Sequence, residues 1–203
     1  MILVIDRSTD TQSVALERGG KIVARVFAGM DSRSGDWPLK VRDFLAANGA
    51  DAATLDRVVV GQGPGSFAGI RAALAFAQGI ALGGSARVEG LPSTLALACA
   101  GEKRAIVGDA RRERYWVILY DGLDVVKDFF LVEKKGIADA VPDDYAVLTP
   151  DGARIDALLA AIFGPRYKGA ATPLAAHLAE VVVARPDLLV PEPLPVYLQP
   201  AVK

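Results

Sequence analysis

The chain opens on an apolar run, "ILVID", which stops at Asp6; a polar stretch, "RSTDT", leads to a second apolar run, "QSVAL". Short apolar runs bounded by turn residues read as buried strands. "ERGG" then turns, with Gly19 and Gly20 free to take positive φ, and "KIVARVFA" returns as a third strand. The pattern predicts a three-stranded antiparallel meander. "SRSGDWPLKVRDFLAANGA" carries a loop and a helix over residues 38–47, with Pro38 in its first turn and Asn48-Gly49 closing it. "ATLDRVVVG" is a core strand, and a long helix follows over 67–82. "ARVEG" reads as a strand and "LPSTLALACAG" as a helix stopped by Gly101.

A second round starts at residue 104. "RAIVGDARRERYWVILYDGLDVVKDFFLV" reads as strand, Asp109, turn, strand, Asp-Gly turn, strand, which repeats the opening. Asp6 and Asp109 occupy equivalent places, although the two halves share almost no sequence identity. "YAVLTPDGARIDALLAAIF" adds a strand, a Pro-Asp-Gly turn and a helix, and "TPLAAHLAEVVVAR" another helix. The proline-rich tail "PEPLPVYLQPAVK" reads as extended surface chain. Strands alternating with helices in two matching rounds predict an α/β fold of two related lobes, over 1–101 and 102–203.

The helix over 67–82 is apolar on every side. At about 100° per residue, Phe67, Ile70, Leu74, Ala77 and Ala81 share one face, and Gly69, Ala73, Phe76 and Ile80 a second. Ala68, Ala72, Ala75 and Gly79 form a third, narrow enough for close backbone approach; only Arg71 and Gln78 are polar. Such a helix is either fully buried or shared with a partner.

The loop before it, "GQGPGS", raises the question of a phosphate cradle. A Walker loop needs a lysine where this chain has Phe67, and a dinucleotide fingerprint needs a third glycine where it has Ser66. Pro64 removes one N–H from any nest of donors. Two readings stand: a tight strand-to-helix turn with Ser66 as N-cap, or direct phosphate binding. Asp6, with Ser8 and Thr9, and Asp109 in the second half, suit water-mediated Mg²⁺ and phosphate contacts. Equally, both aspartates suit plain turn initiation. "RRER" at 111–114 is a basic cluster at a hairpin, either a solvated turn or a surface for an anionic partner.

Composition narrows the chemistry. Of 203 residues, 52% are hydrophobic and 23% charged, enough for a real core, and the net charge of −1 lacks the basic surplus of a dedicated nucleic-acid binder. One cysteine, Cys99, and one histidine, His177, leave no His/Cys metal cluster and no internal disulfide. No run reaches the ~20 apolar residues of a membrane span, and no leader pattern precedes "MILVID". A cytoplasmic protein is expected.

"ILVIDRSTDTQSVAL", "VVVGQGPGSFAGIRAALAFAQGIAL", "GLPSTLALA", "DARRERYW" and "PVYLQP" occur in an order that resembles the TsaB/YeaZ family across nearly the whole chain. The resemblance implies an actin/Hsp70-like (ASKHA, RNase H-like) fold with a reduced second lobe. It implies a non-catalytic dimerisation subunit that pairs with and activates a TsaD-type catalytic paralogue, with a TsaE-type ATPase joining the pair. That complex transfers threonylcarbamoyl to N6 of adenosine 37 in tRNAs reading ANN codons. By this resemblance the two first-half helices form the pairing surface, through Leu39, Phe44, Ile70, Ala73, Leu74, Phe76, Ala77 and Ile80. The free subunit would be a homodimer, and tRNA would be met only through the complex. Asp6, Ser8, Thr9, Gly63, Gly65, Ser66 and Asp109 would be remnants of a nucleotide site, with ATP and Mg²⁺ handled by the complex rather than by this subunit alone.

Three departures accompany the resemblance. The family's usual "DTST" is "DRST" here, "GSFTG" is "GSFAG", and "SRSGDW" lacks the His-Ser often found before the first helix. The histidine pair that holds metal in the catalytic paralogue is missing, since no histidine precedes His177. The rival reading is an actin-fold ATPase or small-molecule kinase acting alone, for which only "PDGA" at 150–153 offers a late glycine turn; a peptidase has still less to build on.

Overall fold

In a computed structural model describing residues 1–27 and 36–198, the opening apolar runs become β1 (Ile2–Asp6), β2 (Gln12–Arg18) and β3 (Lys21–Phe27). They form the expected meander, with Asp6 opposite Ser13 and Gln12 opposite Phe27. The first helix, α1, spans Trp37–Ala47, and residues 28–35, including most of "SRSGDW", lie outside the described residues. β4 (Arg57–Gly61) runs parallel to β1, α2 spans Phe67–Gly83, and β5 (Arg87–Leu91) lies parallel to β4. Leu3, Ile5, Val14 and Leu16 face α1 and α2 in one core with Trp37, Phe44, Ile70 and Leu74. Each such side chain contributes about 1.5–3 kcal/mol by leaving water.

The second round folds as β6 (Lys103–Asp109), β7 (Arg114–Asp121) and β8 (Asp124–Glu133), then a one-turn helix α3 (Ile137–Ala140) and β9 (Ala146–Thr149). α4 (Gly152–Phe163) follows, and β10 (Tyr167–Ala170) pairs parallel to β9. The strand order β10-β9-β6-β7-β8 repeats the order β5-β4-β1-β2-β3 of the first sheet. Asp6 and Asp109 therefore end the central strands of two like-ordered sheets.

The chain then returns to the first sheet. α5 (Ala175–Ala184) packs against β1, β2 and β3, on the face that Val4 and Ala15 line by alternation. β11 (Val190–Pro191) pairs with β5. One compact unit is thus residues 1–96 with 173–196, and the other is centred on 97–172. The split at residue 101 expected from sequence is corrected here, because the last helix belongs with the first sheet. Its docking is fixed by a buried hydrogen bond from the Ala175 N–H to Ser13 Oγ, 2.8 Å.

One helix expected from sequence is absent. "LPSTLALACAG" forms only a short 3-10 turn at Ser93–Leu97. Ser93 is held at both ends of its donor and acceptor set: its N–H donates to the Gly63 carbonyl at 2.9 Å, and its Oγ accepts from the Gly63 N–H at 2.9 Å. That tie fixes the segment against the glycine loop instead of letting it wind.

Candidate functional site

The glycine loop is filled by its own chain. Gly61 has no room for a side chain: a Cβ there would stand 1.9 Å from Asp6 Oδ2. At Gly65 a Cβ would stand 2.0 Å from the Ser8 carbonyl oxygen. The turn after β1 thus packs directly against the glycine loop. Three of the loop's N–H donors are committed as well. The Gln62 N–H donates to the Leu91 carbonyl at 2.8 Å, the Gly63 N–H to Ser93, and the Ser66 N–H to the Ser8 carbonyl at 2.7 Å. Ser66 is the N-cap of α2, its Oγ accepting from the Gly69 N–H at 3.3 Å.

Asp6 is fully buried. Its Oδ1 accepts from the Ser8 N–H at 2.9 Å and the Ser8 hydroxyl at 2.7 Å. Its Oδ2, pressed against Gly61, has no hydrogen bond of ordinary geometry, although the nearby Ser93 hydroxyl favours the ionised form. Burial outweighs these contacts and raises the Asp6 pKa. Thr9 spends its hydroxyl within the turn, donating to the Thr11 carbonyl at 3.0 Å. A carboxylate desolvated in this way and facing a backbone wall does not fit a hydrated Mg²⁺ with a nucleotide.

The second aspartate is closed differently. Asp109 Oδ1 accepts from the Arg111 N–H at 2.7 Å, and Oδ2 from Arg154 at 3.2 Å. Arg154 also reaches Asp151 Oδ1 at 2.9 Å, while Asp151 Oδ2 accepts from the Asp109 N–H at 2.9 Å. The i,i+3 spacing of Arg154 from Asp151 at a helix start is the sequence signal for this pairing. Among the described residues no group of three or more His, Cys, Asp or Glu side chains is placed to hold a metal. His177 is an exposed helical residue.

The expected pairing residues divide sharply. Phe44, Ile70, Ala73, Leu74 and Ala77 are buried in the core of this chain. Their apolar surface is already spent inside this core, that of the α2 residues against β1 and β4, so they are corrected from interface to core. Phe76 and Ile80 are half-buried and edge a shallow cavity of about 300 Å³, with Ala52, Ala53, Gly79 and Gly83. Leu39 is exposed on α1. The outward face of α2 instead carries the small residues Ala68, Ala75 and Gly79 with half-buried Ala72, beside exposed Arg71 and Gln78. Phe67 and Leu82 stand near its ends at 54% and 89% exposure. No helix among the described residues is long and apolar enough to cross a membrane.

The family model described as "TsaD: tRNA N6-adenosine threonylcarbamoyltransferase" matches residues 38–157. The tRNA threonylcarbamoyladenosine biosynthesis protein TsaB of Escherichia coli is 32% identical over 122 residues, covering 57% of this chain and 53% of that protein. Its Haemophilus influenzae namesake is 34% identical over 100 residues, covering 49% and 42%. The chain's matches span about half the length of these curated relatives. YeaZ from Pseudomonas aeruginosa superposes with a TM-score of 0.77 at 24% identity, covering 97% of this chain and 99% of that one. That likeness shows the fold, an α/β architecture of two like-ordered mixed sheets. The chain belongs to the family that the threonylcarbamoyltransferase model describes, and within it to the TsaB/YeaZ group.

Proposed function

We propose that this chain is a non-catalytic pairing subunit in the making of N6-threonylcarbamoyladenosine at adenosine 37 of tRNAs reading ANN codons, and that it binds and activates a TsaD-type catalytic subunit. The observation that carries this reading is the outward face of α2. Ala68, Ala75 and Gly79 keep part of it low enough for a second helix to come close, Phe67 and Leu82 offer apolar anchors, and exposed Arg71 and Gln78 on the same face offer polar contacts. Covering each anchor would contribute about 1.5–3 kcal/mol. The relatives' printed names supply the pathway. A TsaE-type ATPase joins the pair, and the free chain covers the same face by self-association.

Two further features support a role without chemistry of its own. The only histidine is His177, exposed on α5. Both aspartate turns are closed from within, one by the glycine loop and one by Arg154. The test is reconstitution. Threonylcarbamoyl transfer to tRNA is measured with the TsaD-type subunit alone, with this chain alone, and with both. The expected result is transfer only, or far faster, with both. Tight Mg-ATP binding by this chain alone, lost in Asp6→Ala, would contradict the reading and favour the actin-fold ATPase or kinase.

A further inference from the structure

The "RRER" turn between β6 and β7 lies apart from the pairing face proposed on α2, and its backbone is unusual. Arg111, Arg112 and Glu113 take φ values of 67°, 54° and 57°, three successive left-handed residues without a glycine among them. Side chains with a Cβ visit that region singly and at an energetic cost. Strain of this kind persists where the surroundings demand it, and it gathers at functional sites. All four residues of the turn are exposed.

Charge is segregated at the same place. Arg114 lies opposite Glu133 across the β7–β8 pair, and Lys135 reaches Glu133 at 3.1 Å. Arg111, Arg112, Arg114, Lys134, Lys135 and Arg154 thus stand with four acids, Asp109, Glu113, Glu133 and Asp151, a net of +2 in a chain whose total is −1. Two of those acids are already engaged: Asp109 accepts from the Arg111 N–H, Asp151 from the Asp109 N–H, and the two share Arg154. Arg112 makes no ion pair among the described residues. The Arg111 guanidinium is only loosely tied, 3.9 Å from Asp109 with its side chain 70% exposed.

From this strained, outward-held set of arginines beside two lysines we infer that the β6–β7 tip is a contact for the phosphodiester backbone of the tRNA. The inference rests on the proposed role in tRNA modification. Guanidinium groups suit phosphate because their donors match two oxygens at once. Such contacts are electrostatic and blind to base sequence, and they make affinity fall with salt.

The experiment measures binding of an unmodified tRNA to the complex of this chain with its TsaD-type subunit, from low to high salt. Wild type is compared with the double variant Arg111→Ala/Arg112→Ala and with Arg112→Glu, and pairing is checked by sedimentation. The double variant is expected to bind tRNA about tenfold more weakly at low salt, with the slope of log affinity against log salt reduced by about two. Arg112→Glu weakens binding further, and pairing is unchanged in both. Wild-type affinity and slope in both variants would overturn the inference while leaving the proposed function intact. Loss of pairing alongside loss of tRNA would also overturn it, making the tip a protein contact. Equally tight binding of polyglutamate would assign the tip to an acidic protein instead. A wild-type complex that binds no tRNA would overturn the inference and the proposed function together.

Discussion

The guanidinium carbon of Arg7 lies 4.6 Å from the centre of the Trp37 ring, and both side chains are buried. Phe27 meets the same indole edge-on at 5.4 Å. Two of the places where this sequence departs from the pattern it resembles therefore contact each other. Arg7 stands where threonine is usual, and Trp37 closes the segment that lacks the usual His-Ser. A desolvated cation over an indole is stabilised by about 2 kcal/mol or more, which offsets part of the cost of burying the charge.

The pair is expected to be coupled. Trp37→Ala should cost about 3–5 kcal/mol, since it opens a cavity and removes the ring beneath a buried guanidinium. Arg7→Thr/Trp37→Ala together should cost less than the sum of the single changes. Urea unfolding of the four species checks this through the double-mutant cycle. Additive costs would mean that the two side chains are neighbours without an interaction.

Asp6 predicts a pH dependence with a definite sign. Its pKa in the folded state is raised above the ordinary 3.8, chiefly by burial. The folded state thus holds its proton more tightly than the unfolded chain. The stability it contributes is fully present below pH 3.8 and is lost as pH rises through the folded value. Asp6→Asn keeps an acceptor for the two Ser8 donors and cannot ionise. It should match or exceed wild-type stability at pH 7 and flatten this part of the profile. Asp6→Ala leaves the Ser8 donors unsatisfied and should cost about 1–3 kcal/mol. Urea midpoints across pH 4 to 8 for the three proteins decide it.

Glycine substitutions separate loop from surface. Gly65→Ala forces a Cβ into the Ser8 carbonyl and should destabilise by about 1–3 kcal/mol, as overpacking does. Gly79, on the exposed face of α2, has nothing within 4 Å of its would-be Cβ. Gly79→Ala should therefore stabilise the isolated chain, by up to about 1 kcal/mol, through helix propensity. It should also weaken pairing, because the stripe would no longer admit a close backbone. Thermal unfolding reads the first effect and sedimentation the second.

Much of this was legible in the residues, and the failures have physical causes. The strand-Asp-turn-strand repeat and the extent of α2 follow from apolar runs and their stops, which are local. Which face of α2 looks outward is not local. Ile70 and Ala75 are both apolar, and only the presence of β1 and β4 beneath Ile70 assigns it to the core. "LPSTLALACAG" has the composition of a helix, yet Ser93 is tied to Gly63, thirty residues earlier in the chain. The last helix follows the second sheet in sequence but packs on the first through Ser13, a long-range contact that no periodicity announces. The closure of Asp109 by Arg154 likewise depends on how α4 begins beside the end of β6.

The most direct test of the pairing claim is sedimentation of this chain alone and mixed with its TsaD-type subunit, for wild type, Ala75→Arg and Leu74→Arg. The wild type should self-associate and then exchange into a one-to-one pair. Ala75→Arg should fold normally, remain a monomer and fail to pair, because Ala75 is exposed at the middle of the stripe. Leu74→Arg should lose the fold, because Leu74 is core. A folded Ala75→Arg that pairs as the wild type does would contradict the account.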